Sequence, residues 1–470
     1  MPGPLRLRIA LNAVAAAAAA VAAGLAVAGD GRTQLSVPDP ASELSSPPRP
    51  ASVKGDFTFV SVGDLLYSVP VARSADAELQ QVLRILKDGD VAIGNVEGVF
   101  FDLRRFRGEA PGSPAILRGQ PELAADLKAI GIDMVSTANN HANDWGAEGL
   151  LDMDRLLDHA RIVHAGDGRT LTQAQSARFL DTPTGRIALV ATASTFKEGA
   201  RAQDAIDGMP ARSGISTLRT REIDVVTAET MAHLRAAAGQ PEGSGDLSFG
   251  GRTYRAGTTA HASYEMNTFD HYALLHAIRA GKQRADLAVF TIHAHENADG
   301  MDDNAVGDPA DFLVELFHEA IDAGADVVMG GGPHSLRGIE IYKGKPIFYG
   351  LGAFFLAGHI QLTQDEQTSY YGPPPRNAPE APTATARPRG ANPSSWYDGV
   401  VAVSTFHDGR LREVRLYPLD LGQGAGPGRR GVPHLAAPDS AHRILQVLQK
   451  ASDAYGTRIR IEGSIGVLEP

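Results

Sequence analysis

Five apolar runs in this 470-residue chain end in carboxylates, amides or imidazoles. Phe57–Val62 runs into Gly63-Asp64, and Val91–Ile93 into Gly94-Asn95-Val96-Glu97. Met134–Ser136 leads to Asn139-Asn140-His141, with Asp144 three residues on. Leu287–Ile292 ends in His293-Ala294-His295-Glu296, and Val327–Met329 in a Gly330-Gly331-Gly332-Pro333-His334 turn. Taken singly, each has an ordinary role: Asp64 can cap a turn, and the Asn139-Asn140-His141 polar groups can hold loop backbone. Glu97 is harder to set aside, because a carboxylate closing an apolar run needs a partner. Together, oxygen and imidazole donors are the set that binds Mn, Fe, Zn or Mg, and a carboxylate among them can bridge two ions. The chain has no cysteine, so thiolate ligands, thiolate catalysis and disulfides are excluded.

Those donors meet only if the chain presents the run ends on one edge. The pattern predicts that it does. Strands at 57–62, 91–93, 134–136, 287–292 and 327–329 alternate with amphipathic helices over 77–86, 121–130, 147–159, 271–282 and 310–323. In the first helix Leu79, Val82, Leu83 and Leu86 share a face. Such βαβα alternation gives a largely parallel sheet, whose strand carboxyl ends form the usual ligand-binding edge of an open α/β fold. Hairpins are expected around Thr184-Gly185 and Asp408-Gly409, and a last helix near 442–450.

Hydrophobic residues make up 43% of the chain and charged ones 21%, a balance that folds. The net charge of -11 argues against non-specific binding to nucleic acid. At the N-terminus Arg6 and Arg8 precede an uncharged apolar run, Ile9–Val27, and Ala26-Val27-Ala28 offers a signal-peptidase site. The organisation expected is therefore a signal peptide or N-terminal anchor over 1–28 and a flexible linker over 29–54. One α/β domain follows over 55–425, with irregular insertions near 200–260 and 360–395, and a helix-bearing C-terminal extension over 426–470.

The order Gly63-Asp64, Asn95-Val96-Glu97, Asn139-Asn140-His141-Ala142-Asn143-Asp144-Trp145-Gly146, His293-Ala294-His295-Glu296, Pro333-His334 and Tyr349-Gly350-Leu351-Gly352 resembles the CapA family. That family of capsule-synthesis and poly-γ-glutamate biosynthesis proteins lies within the calcineurin-like metallophosphoesterase superfamily. The resemblance implies an α/β sandwich of two β-sheets flanked by helices, with divalent metal ions, two of them, at the strand ends. It implies metal-ligand positions at Asp64, Glu97, Asn140, His293 and His334, and a catalytic role for His141. Asn95, Asn139, Asp144, His295 and Glu296 stand as additional metal or substrate residues. Three departures from the family pattern are visible: Leu66 where phosphoesterases carry a histidine, Ala353 for an asparagine, and Gly332 for the first histidine of His-Pro-His. One metal position is then weak, or filled by His295, and restoring a histidine at 332 is expected to tighten it. The implied function is an exported, periplasmic or otherwise extracytoplasmic hydrolase acting on an anionic or peptide-like polymer, with capsule synthase membrane subunits as partners. Metal-dependent peptide epimerisation and non-catalytic polymer binding are the alternatives.

Overall fold

The computed structural model describes Leu44 and residues 46–102, 104–108, 118–241, 243–301, 307–356, 394–426 and 429–470. The expected signal segment, and the irregular 360–395 loop up to residue 393, lie outside these residues. Among the described residues no helix is long and apolar enough to cross a membrane. The fold is that of the unit Ser46–Pro470.

Two sheets face each other, as the resemblance implies. In the first, the strands Asp56–Leu66, Val91–Val96, Met134–Ser136 and Val163–Ala165 run parallel and adjacent. On its other side the sheet is extended by the antiparallel strands Asp398–His407, Arg410–Asp420, Ile465–Leu468 and Arg460–Glu462. In the second, Gly185–Ala193, Leu287–His293, Val327–Gly331 and Lys345–Phe348 are parallel, with antiparallel edges at Arg178–Thr182 and Ile339–Tyr342.

The period-two alternation of the first strand shows why the layers form. Phe57 and Phe59 point into the space between the sheets, where they meet Ile187, Leu189, Val289, Val327 and Phe348. Val60 and Val62 point the other way, onto Leu79, Val82, Leu83 and Leu86 of the helix Ala77–Lys87 and onto Leu123, Leu127 and Ile130 of the helix Glu122–Ile130. On the far face of the second sheet, Phe290 meets Phe317 of the helix Asp311–Ala323 edge to face.

Two segments differ from the sequence expectation. The stretch around 200–260 is not irregular: Thr220–Thr227, Leu247–Phe249, Arg252–Gly257 and His261–Met266 form a four-stranded sheet, with a helix at Ala228–Ala237. Its strands are charge-rich, with Arg221, Glu222, Asp224, Arg252, Arg255 and Glu265 paired across the sheet, which is why they read as loop. The second is the C-terminal part. The helix Pro438–Ser452 sends Ala441, Ile444, Leu445 and Leu448 into the core between the sheets, and Ile465–Leu468 is a strand of the first sheet.

Candidate metal centre

Asp64 lies two residues before the end of its strand, where the backbone changes partner. Up to Ser61 the strand pairs with Asp398–His407; from Asp64 on it pairs with Ala353–Leu356 on that flank. The Asp64 carboxylate is buried and accepts from Asn95 Nδ2 at 2.9 Å and from the Gly332 backbone N–H at 3.1 Å, with His334 Nδ1 at 3.1 Å. Burial pushes this carboxyl up, but the hydrogen bond and charge of His334, with help from His293 and Asn95, outweigh it and hold the group below the ordinary aspartate value.

Asn95 links the two sheets: its Nδ2 also lies 3.2 Å from His293 Nδ1. Asn139 holds Asn95 in turn, donating to its Oδ1 at 3.2 Å and to the Val96 carbonyl at 2.7 Å. Glu97, one residue beyond the strand Val91–Val96, is buried 3.6 Å from His334 Nδ1 and 3.8 Å from His141 Nε2.

His293 is the last residue of its strand, and His295 is two residues on. Their Nε2 atoms lie 2.9 Å apart. Two imidazole nitrogens bound to one tetrahedral ion would sit about 3.3 Å apart, so little movement separates this contact from shared coordination. Burial, and then the charge of His295, push His293 well below the ordinary histidine value; His334 is lowered by burial against the pull of Asp64. Both shifts favour the neutral imidazole, the form that binds metal. Asn140 Nδ2 is 3.4 Å from His295 Nε2, while its Oδ1 is buried without a hydrogen-bond partner among the described residues. A buried, unpartnered oxygen beside the His295 imidazole fits the role of an oxygen ligand.

Donor atoms of Asp64, Glu97 and His334 lie within 4.8 Å of one another, as do those of Glu97, His293 and His295. The donor set therefore fits two divalent ions around a shared carboxylate. His295 supplies the third residue of the second group, so the reason for expecting a weak position at Gly332 disappears. Gly332 has φ +127°, and a Cβ there would meet Ala294 O and His295 Cδ2 at 3.0 Å. Gly332→His is therefore expected to lower thermal stability, by about 1–3 kcal/mol for the forced backbone alone, and not to tighten metal. Calorimetric melting beside metal titration of the variant checks this. His334 itself is held at φ +54°, a conformation rare for a non-glycine residue.

His141 belongs to a different layer of the site. Its Nδ1 is 2.8 Å from Asp144 Oδ2, and Lys197 Nζ bonds the other oxygen of that buried carboxylate. Its side chain keeps 14% of its surface exposed, against 3% for His334. The loop beneath it rests on Trp145, which packs edge-on against Phe101 and Phe106. Glu296, in contrast, stands outside both donor groups. Its Oε2 accepts from Ser194 Oγ and Thr195 Oγ1, each at 2.9 Å, and Thr195 Oγ1 accepts from the His295 backbone N–H. Glu296 thus braces the His295 loop.

Four residues near the centre escaped the sequence reading: Lys197, Ser194, Thr195, and Trp396, whose indole lies edge-on to His334 with ring centroids 4.7 Å apart. Ser194-Thr195 had a usable signal, for it directly follows the parallel strand Gly185–Ala193 and is one more polar strand end on the same edge. Trp396 had none, since it arrives from a short turn before Asp398–His407.

The chain is similar to known proteins. Residues 58–357 match the family model described as bacterial capsule synthesis protein PGA_cap. The chain is 38% identical over 437 residues to the uncharacterized protein y4sH of Sinorhizobium fredii, covering 89% of this chain and 94% of that one. It is 23% identical over 321 residues to the PGA biosynthesis protein CapA of Bacillus subtilis, covering 68% of this chain and 67% of that one. With a probable polyglutamine synthesis accessory protein of Mycobacterium tuberculosis the identity is 28% over 244 residues, or 52% of this chain and 50% of that one. The family match spans every residue of the two donor groups, and on that extent the chain belongs to the bacterial capsule synthesis PGA_cap family.

Proposed function

We propose that this protein is an exported metal-dependent hydrolase of the cell envelope that serves capsule or poly-γ-glutamate synthesis. One observation carries the reading: Glu97 belongs to both donor groups, so a single buried carboxylate can bridge two ions. Asp64, Glu97 and His334 would hold one ion, and Glu97, His293 and His295 the other, with Asn140 Oδ1 as a further donor. Bound there, divalent Mn, Fe, Zn or Mg supplies Lewis acidity toward a phosphoryl or carbonyl oxygen.

The chain's own residues do the rest. Asp144 fixes the His141 ring through Nδ1, which leaves Nε2 on the side of Glu97 and the donor groups to give or take a proton. The substrate is an anionic or peptide-like polymer. A chain of net charge -11 repels such a polymer except where cations are concentrated, which directs it to this centre. The apolar run Ile9–Val27 supports export, and the names of the Bacillus and Mycobacterium relatives support a role beside capsule synthase membrane subunits.

The test is elemental analysis of the purified protein, followed by assays on phosphoesters and γ-glutamyl peptides with and without a chelator. Two ions per chain and chelator-sensitive turnover of one substrate class are expected. Full turnover by metal-free protein overturns the reading. Two ions with no turnover of either class would favour a polymer-binding subunit instead.

A further inference from the structure

A second cluster of metal-binding side chains lies on the helix Gly146–Ala160 and the strand that follows it. Asp154 and Asp158 are on the helix, His164 is in the strand Val163–Ala165, and Asp167 comes two residues after that strand. His164 Nδ1 is 3.3 Å from Asp167 Oδ1 and 3.6 Å from Asp154 Oδ1. Donor atoms of the three residues lie within 4.8 Å of one another. None of them belongs to the strand-end centre.

Hydrogen bonds from His164 do not reach every oxygen of this group. One imidazole nitrogen can donate one proton, yet Nδ1 faces two carboxylates. Asp167 is wholly buried, and its Oδ2 has no hydrogen-bond partner among the described residues; the buried Asp154 Oδ1 has none either. Oxygen and nitrogen donors about 2.0–2.2 Å from a tetrahedral ion stand about 3.3–3.6 Å apart, the spacing of His164 Nδ1 from each of the two carboxylates. The other ring nitrogen, Nε2, lies 3.3 Å from Asp158 Oδ1. A carboxylate behind a histidine in this way is the usual partner of a metal-bound imidazole, fixing its tautomer and orientation. Asp158 is mostly exposed, which opens a route for the ion.

We propose that Asp154, His164 and Asp167 form a separate site for a first-row divalent ion of the Zn²⁺ type. Two carboxylates with one imidazole and no thiolate suit Zn²⁺ or Mn²⁺ better than the all-oxygen cages of Ca²⁺. The ion ties the helix Gly146–Ala160 to the strand beside it. That helix begins directly after the loop carrying His141 and Asp144, so the site acts on the rigidity of that loop and not on the chemistry.

Zn²⁺ is the probe. Crystals of the wild-type protein grown with Zn²⁺ are expected to show an anomalous peak between Asp154, His164 and Asp167, besides those at the strand-end centre. In solution, the variant His293→Ala/His334→Ala is expected to retain one Zn²⁺ equivalent by calorimetry, and adding Asp167→Asn removes it. Asp154→Asn serves as a second, near-isosteric variant should Asp167→Asn fail to fold. Anomalous peaks confined to the strand-end centre, or a residual equivalent that survives both substitutions, overturn the proposal. So does a double variant that binds no Zn²⁺, the result expected if the two carboxyl groups merely share a proton.

Discussion

Replacing His293 with alanine is expected to abolish tight metal binding at the position it shares with Glu97 and His295. The side chain is almost wholly buried, and its Nε2 lies 2.9 Å from that of His295. Losing even a hydrogen-bonded partner behind a ligand costs roughly 10–100-fold in affinity, so losing a ligand should cost more. The effect extends to stability. An ion present at 1,000 times its dissociation constant stabilises the folded state by about 4 kcal/mol, and His293→Ala forfeits that share. Thermal melts with and without chelator separate this from a cavity effect. Wild-type melting should fall on chelation, and that of the variant should fall by less, since only the ion held by Asp64, Glu97 and His334 is left at the centre. A variant that keeps both its metal content and its chelator response would remove His293 from the ligand set.

His141→Ala should behave in the opposite way. Metal content and melting temperature are expected to stay near the wild-type values, while turnover falls about 10²–10⁴-fold, the usual contribution of one general acid or base. The geometry separates the two residues. His141 Nδ1 is held by Asp144, Nε2 is 3.8 Å from Glu97, and the ring keeps an exposed edge that the sealed His293 and His334 do not have. Inductively coupled plasma mass spectrometry, melting and turnover, measured on both variants with the same substrate, decide the matter. If His141→Ala loses its metal as completely as His293→Ala, the imidazole is a ligand and the assignment of its role to proton transfer fails.

Much of this site is legible in the sequence, for a reason particular to parallel sheets. Asp64, Asn95, Glu97, Asn140, His293 and His334 each follow a strongly apolar run, parallel pairing puts such run ends on one edge of each sheet, and the facing of the two sheets brings the edges together. Their division of labour was not legible. Nothing in the sequence separates Asn95, which links Asp64 to His293, from Asn139, which holds Asn95, because both are asparagines at strand ends. Glu296 reads as a donor, and it stands outside the two donor groups with its Oε2 accepting from Ser194 and Thr195. Gly332 looked like a missing ligand, yet its positive φ strains any side chain there and a Cβ would press on Ala294 O and the His295 ring. In the fold, the helices with a clean apolar face were legible within a few residues. The sheet between 220 and 266 was not, since Arg221, Glu222, Asp224, Arg252, Arg255 and Glu265 interrupt its strands and only Ile223, Val225, Leu247, Ala262 and Tyr264 mark a buried side.

The divided pairing of the strand Asp56–Leu66 bears on the order in which the molecule can be made. Its first half is flanked by Asp398–His407, more than three hundred positions away along the chain, and Asp64 by Ala353. A ribosome-bound polypeptide that has emerged only through His334 already contains every candidate ligand, yet lacks both strands on that flank of Asp64. Contacts this distant in sequence close late and slowly, because chain entropy is lost before they repay it. Ion capture should therefore trail synthesis, and an ion offered to the emerging polypeptide would find scattered donors in place of a prepared cup.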